Sequence, residues 1–257
     1  MSHQIRVDVS DDHVATVEFE RGPRNHFDAA LIAELADTFE RLDADADARA
    51  IVLCSSGRHF CAGADLPGAL RGGEPPIAGA GSLYEEAVRL FTARTPIVAA
   101  VQGAAVGGGL GLALVADFRV AGPSTRFAAN FSRLGLHQGF GITVTLPTVV
   151  GSQHAQDLLY TGRQVAGEEA ASIGLCDRLT ADDEVRSGAH ALAAEVAASA
   201  PLAVVSIRQS LRGDLAERVR AATANEQAAQ LKLAATADFV EGVSATAERR
   251  QPRFTGS

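Results

Sequence analysis

VQGAAVGGGLGL, residues 101–112, follows the short apolar stretch TPIVAA at residues 95–100. The run reads as a buried strand that passes through three consecutive glycines, Gly107, Gly108 and Gly109, into an apolar helix from Leu110 onward. Glycines remove the side chains that would hold a ligand away from the main chain. The first turn of a helix also leaves N–H groups without intrahelical partners and carries partial positive charge. Such a corner binds an anion, or stabilises an oxyanion as it forms. It serves equally well as a tight turn with close packing, and this stretch alone does not decide between the two.

A second stretch, IVLCSSGRHFCAGADL at residues 51–66, repeats the pattern. Residues 51–54 read as a buried strand, 55–58 as a turn and 60–66 as another glycine-containing bend. Two such bends can supply one N–H each to a single oxygen. Each donor of such a pair contributes about 2.7–4 kcal/mol in a transition state.

The chain has 257 residues, enough for one large core or a core plus a helical appendage. Hydrophobic content of 47% with only 5% aromatics predicts an aliphatic interior. A net charge of −8 argues against a nucleic-acid partner, which needs clustered Lys and Arg, although isolated arginines suffice for one phosphate group. No apolar run reaches the roughly 20 residues of a membrane span, and MSHQIRVDVS lacks the apolar centre of a signal peptide. Three scattered cysteines, Cys54, Cys61 and Cys176, read as buried thiols of a cytoplasmic protein.

Along the chain, residues 5–10 and 14–20 alternate as a hairpin. Asp28 is placed to cap a helix over residues 29–43, with Leu31, Leu35, Phe39 and Leu42 at helical spacing. Residues 67–81 are rich in glycine and proline and predict a mobile segment, followed by a helix over 83–93. Strand–helix alternation runs to about Asp177. From about Asp182 the signal is helical, divided at Pro201, with long helices from about Leu202 to Ala235.

Taken together, FCAGADL (residues 60–66) and PIVAAVQGAAVGGGLGLALVADFRVA (96–121) resemble the crotonase, or enoyl-CoA hydratase/isomerase, superfamily. LGLHQGFG (134–141), LPTVVG (146–151), LLYTGRQVAGEEAASIGLCDRL (158–179) and VEGVSATAERRQPRFTG (240–256) follow in that family's order. The resemblance implies an α/β fold, a spiral of β-β-α units over residues 1–195 that carries an acyl-CoA site. It implies a C-terminal helical region over 196–257 that packs across a homotrimer or dimer of trimers. It places the two oxyanion N–H groups on Ala62 and Gly108, and Ala64, Asp65 and Leu66 near the adenine end of CoA. Arg24 and Arg249 become candidates for the CoA phosphates, since arginine grips phosphate as a charge-assisted fork; either is equally readable as a surface charge.

The chain departs from the family's hydratases at two positions. Those enzymes hold and activate water with two glutamates. By the resemblance, these fall on Gly111 and Phe131, neither of which transfers a proton. The aspartate nucleophile of a dehalogenase branch falls on Gly139, and the tyrosine of a decarboxylase branch on Gln138. Gln138 can donate a hydrogen bond but is no acid or base. His137 can be both near neutral pH, or is a helix-start residue bonded to backbone. His59 reads as a turn residue, Asp117 as structural. Glu74, Tyr84, Glu85, Glu86 and Arg89 lie in or after the mobile stretch, Glu85 and Glu86 on a solvated helix start.

Dinucleotide, P-loop, serine-elbow and histidine-pair templates fail, so no metal and no cofactor beyond the substrate's own CoA is expected. Two readings remain. One is an enzyme that passes an acyl-CoA thioester through an enolate, with His137 as proton donor. The other is a non-catalytic acyl-CoA-binding protein, in which Phe131 adds apolar wall and Gly111 adds space for an acyl chain.

Overall fold

Alternation in the first twenty residues produces β1 (Gln4–Val9) and β2 (Val14–Glu20), antiparallel with Val7 opposite Val17. The computed structural model describes residues 4–66, 68 and 80–257. Most of the segment expected to be mobile, with Glu74, lies outside these residues. Helix α1 (Ala29–Asp43) starts at the foreseen cap, where Asp28 Oδ1 accepts the Leu31 N–H at 3.0 Å. Its buried face carries Leu31, Leu35, Phe39 and Leu42.

The chain then forms β3 (Ala50–Ser55), α2 (Ala80–Leu90), β4 (Ile97–Val101), β5 (Ala104–Val106), α3 (Gly108–Ala113), β6 (Phe118–Ala121) and β7 (Arg126–Ala128). After these come α4 (Ile142–Thr161), β8 (Gln164–Ala166), α5 (Gly167–Ser172) and β9 (Arg178–Leu179). The strands fall into two sheets. One runs β1-β2-β3-β4-β6-β9, parallel after the first pair; the smaller runs β5-β7-β8. Consecutive strands β4 and β5 thus belong to different sheets, which turns the chain into a spiral.

All of β3 is buried because both faces of the large sheet are covered. Ile51 and Leu53 pack with the α1 residues, while Ala50, Val52 and Cys54 pack against Val185, Ala189 and Leu192 of α6 (Val185–Ala197). The expected boundary at 195/196 falls in the last turn of α6. Three helices follow: α7 (Pro201–Arg212), α8 (Leu215–Leu233) and α9 (Ala237–Glu248). Helix α7 is fastened to the sheet by Arg208 and Arg212, whose Nε atoms donate to Asp117 at 2.8 and 3.0 Å. Asp117 also accepts the Ile97 N–H at 2.8 Å, in keeping with its structural reading.

Two helix boundaries differ from the sequence expectation. The glycine-run helix begins at Gly108 rather than Leu110, because glycine already adopts the first turn. The next upstream helix spans Ala80–Leu90 rather than 83–93. Among the described residues no single helix is long and apolar enough to cross a membrane.

Candidate active site

Two bends lie against one another because glycine lets their backbones approach. Strand β4 leaves the large sheet through Gly103, at φ +64°, where a Cβ would run into the Arg58 carbonyl. Cys61 then bridges Ala105: its N–H donates to Ala104 O and its carbonyl accepts from Val106 N, both at 3.0 Å. A side chain at Gly109 would collide with that same Cys61 carbonyl. Gly63, at φ +79°, sits so close that a Cβ would stand 2.9 Å from Val106 O and 3.2 Å from Gly108 N.

A strap over residues 21–28 ties the first bend down. Asn25 is buried and left-handed at φ +49°. Its Oδ1 accepts the Arg21 N–H, and its Nδ2 donates to Ser56 O and His59 O, each at 2.8 Å. The Gly63 carbonyl accepts from Phe27 N at 3.1 Å and lies 3.0 Å from His26 Nδ1. Ala62 N–H donates to Arg24 O at 3.0 Å. This corrects the expectation that Ala62 supplies the first free amide: the strap already uses it. The left-handed turn at Gly63 re-aims the following backbone. Among the described residues, the N–H groups of Ala64 and Gly108 have no hydrogen-bond partner. The arrangement therefore leaves the Ala64 and Gly108 amides among the unpartnered main-chain donors of these adjoining loops, able to serve a ligand oxygen.

Aromatic rings fill the space beside them. A Cβ at Gly108 would strike Phe27 Cζ, and one at Gly111 would lie 2.7 Å from Phe140 Cβ. The Phe27 and Phe140 rings pack at 5.3 Å between centroids. Phe131 is buried, its ring edge beside Gly107. Gly111 was expected to add room for an acyl chain; it does not, because Phe140 occupies that side.

The remaining candidates make contacts of their own. His137 Nδ1 lies 2.8 Å from Gln138 O, and its own carbonyl accepts from Gln230 Nε2 at 3.0 Å. Gln138 Nε2 donates to Thr143 Oγ1 at 3.1 Å. Asp65 is exposed and accepts the Gly68 N–H, and Leu66 packs among Tyr84, Leu136 and Phe239. Arg24 is exposed beside the first bend. Arg249 ends α9 in a left-handed conformation, exposed, with no hydrogen bond or ion pair to either bend among the described residues. Burial, with help from Arg58 and Arg24, holds the His59 pKa below its usual value. Burial pushes the Cys54 thiol up to about 11 and Cys61 to about 12, so neither is a nucleophile at neutral pH.

Asn25, Phe27, Phe140, Gln230 and Glu226 escaped the sequence reading. The signal available for Phe140 was its position between Gly139 and Gly141, and Asn25 tolerates a left-handed backbone better than most residues.

Residues 10–257 match the family model described as Enoyl-CoA hydratase/isomerase. A probable enoyl-CoA hydratase of Rhodobacter capsulatus is 35% identical over 256 residues, covering 99% of this chain and 98% of its own. Carnitinyl-CoA dehydratase of Proteus mirabilis is 30% identical over 248 residues, covering 95% of each. The crystal structure of an enoyl-CoA hydratase/isomerase from Pseudoalteromonas atlantica superposes with a TM-score of 0.85 at 33% identity, covering 98% of this chain and 99% of that one. The spiral fold, the whole-length match and the paired glycine bends agree, and the chain belongs to the crotonase (enoyl-CoA hydratase/isomerase) superfamily.

Proposed function

We propose that this protein acts on acyl-CoA thioesters. The N–H groups of Ala64 and Gly108 donate to the thioester carbonyl oxygen and hold the negative charge of an enolate formed from it. The observation that carries this reading is the pair of unpartnered amides on bends locked together by Cys61 and the strap. Arg24 and Arg249 are the cations assigned to the CoA phosphates, with Asp65 and Leu66 neighbouring the nucleotide. His137 stays the candidate proton donor through Nε2, since its Nδ1 faces the Gln138 carbonyl. The working form is assigned as a homotrimer or a dimer of trimers.

Ordinary hydration is not the reaction assigned. General acid–base groups contribute roughly 10²–10⁴-fold, and the two positions that supply them in hydratases hold Gly111 and Phe131. The buried Phe131 ring keeps a second reading in view, a non-catalytic acyl-CoA-binding protein, although Phe140 fills the space that reading expects at Gly111. Turnover of enoyl-, aryl- and malonyl-type CoA thioesters, with binding measured in parallel, separates the two. Turnover of a non-enoyl thioester supports the enzyme. Tight binding without turnover of any supports the carrier, and efficient hydration of crotonyl-CoA refutes the assignment of Gly111 and Phe131.

A further inference from the structure

We infer that Phe140, seated against Gly111, limits the acyl group this chain accepts to short acyl thioesters; the inference rests on the acyl-CoA reading above. Gly108 and Gly111 are three residues apart in α3, so they share one face of the helix, one turn from the other. In this reading the acyl carbons of a thioester held at the Gly108 amide run along that face. Phe27 covers the face at Gly108 and Phe140 at Gly111, and the two rings touch each other.

The backbone that carries Phe140 is held in place. Its backbone is left-handed at φ +62°, an uncommon state for a bulky residue, and Gly141 next to it is at φ +74°. The corner is pinned from α8 by Glu226, 1% exposed. Glu226 accepts the Gly141 N–H at 2.9 Å, the Thr143 N–H at 3.0 Å and the Thr143 hydroxyl at 2.6 Å. On the neighbouring side, a Cβ at Gly139 would meet the Tyr84 hydroxyl, itself held by Gln230 Oε1 at 2.7 Å. Rings therefore occupy the room that Gly111 and Gly139 leave. Gly111 is small for the sake of Phe140, and the two form a coupled pair.

Calorimetric titration of the full chain with acetyl-, butyryl-, hexanoyl- and octanoyl-CoA tests this. In the wild type, affinity falls beyond butyryl. In Phe140→Ala the octanoyl-to-butyryl affinity ratio rises at least about tenfold, and in Phe140→Leu it rises less, in the same direction. Gly111→Ala alone lowers the melting temperature, and adding Phe140→Ala restores part of it. Phe140→Leu carries the test if the alanine variant does not fold. An unchanged ratio in a folded variant that still binds overturns the inference alone. A wild type that binds none of the four thioesters overturns the acyl-CoA reading and this inference with it.

Discussion

At Ala64 a single amide separates a usable site from a closed one. Ala62 and Ala64 flank the same glycine, yet the first amide is tied to Arg24 O and the second has no partner among the described residues. Ala64→Pro removes that donor, and Ala62→Pro removes only a tie in the strap. With [1-¹³C]butyryl-CoA bound, the carbonyl carbon resonance is expected downfield of its free position in the wild type. It returns toward the free value in Ala64→Pro and stays shifted in a folded Ala62→Pro. If the protein turns over a thioester, Ala64→Pro costs about 10²–10³-fold in kcat. An unshifted carbonyl in the wild type counts against the paired donors. The glycine run and the two bends were legible in the sequence because glycine has few other uses in such density. Which amide stays free was not, because the φ of +79° at Gly63 and the carbonyl of Arg24, 38 residues upstream of Ala62, decide it together.

Among the elements, the hairpin β1–β2 and helix α1 were readable to the residue or nearly so, since alternation and the Asp28 cap are local signals. The strap over residues 21–28 was not, because its meaning lies in long-range bonds from one buried side chain. Asn25 satisfies the Arg21 amide and the carbonyls of Ser56 and His59 at once. Asn25→Ala leaves these groups short of partners and puts a Cβ-bearing residue without a compensating amide at φ +49°. A loss of about 2–4 kcal/mol in urea unfolding is expected. Asn25→Gly regains about 1 kcal/mol of it by relieving the left-handed backbone. Should both variants unfold like the wild type, the strap does not hold the bend. The coupling of Gly111 to Phe140 was hidden for a similar reason: the two are far apart in sequence and meet only when α3 and the α4 corner pack.

At the scale of the whole molecule, the C-terminal helices present two unlike faces. Arg208 and Arg212 turn inward from α7 to Asp117, and their neighbours turn outward. Leu202 is 86% exposed, Ile207 59% and Leu211 83%. Single exposed leucines are ordinary, but Ile207 and Leu211, four residues apart, share one face of α7 and make an apolar pair that a solitary, acidic chain has no reason to keep in water. A symmetric oligomer that packs this face against another copy gives the pair a use. Sedimentation equilibrium of the wild type is then expected to report three or six times the 26.6 kDa chain mass. The double substitution Ile207→Glu and Leu211→Glu places two carboxylates where burial would desolvate them, so it shifts the mass toward one chain. Because neither substituted side chain takes part in the bonds of Arg208 and Arg212 to Asp117, circular dichroism of the variant stays that of the wild type. A wild-type mass of one chain across the concentration range, or a variant that keeps its full assembly, shows that α7 does not form the interface.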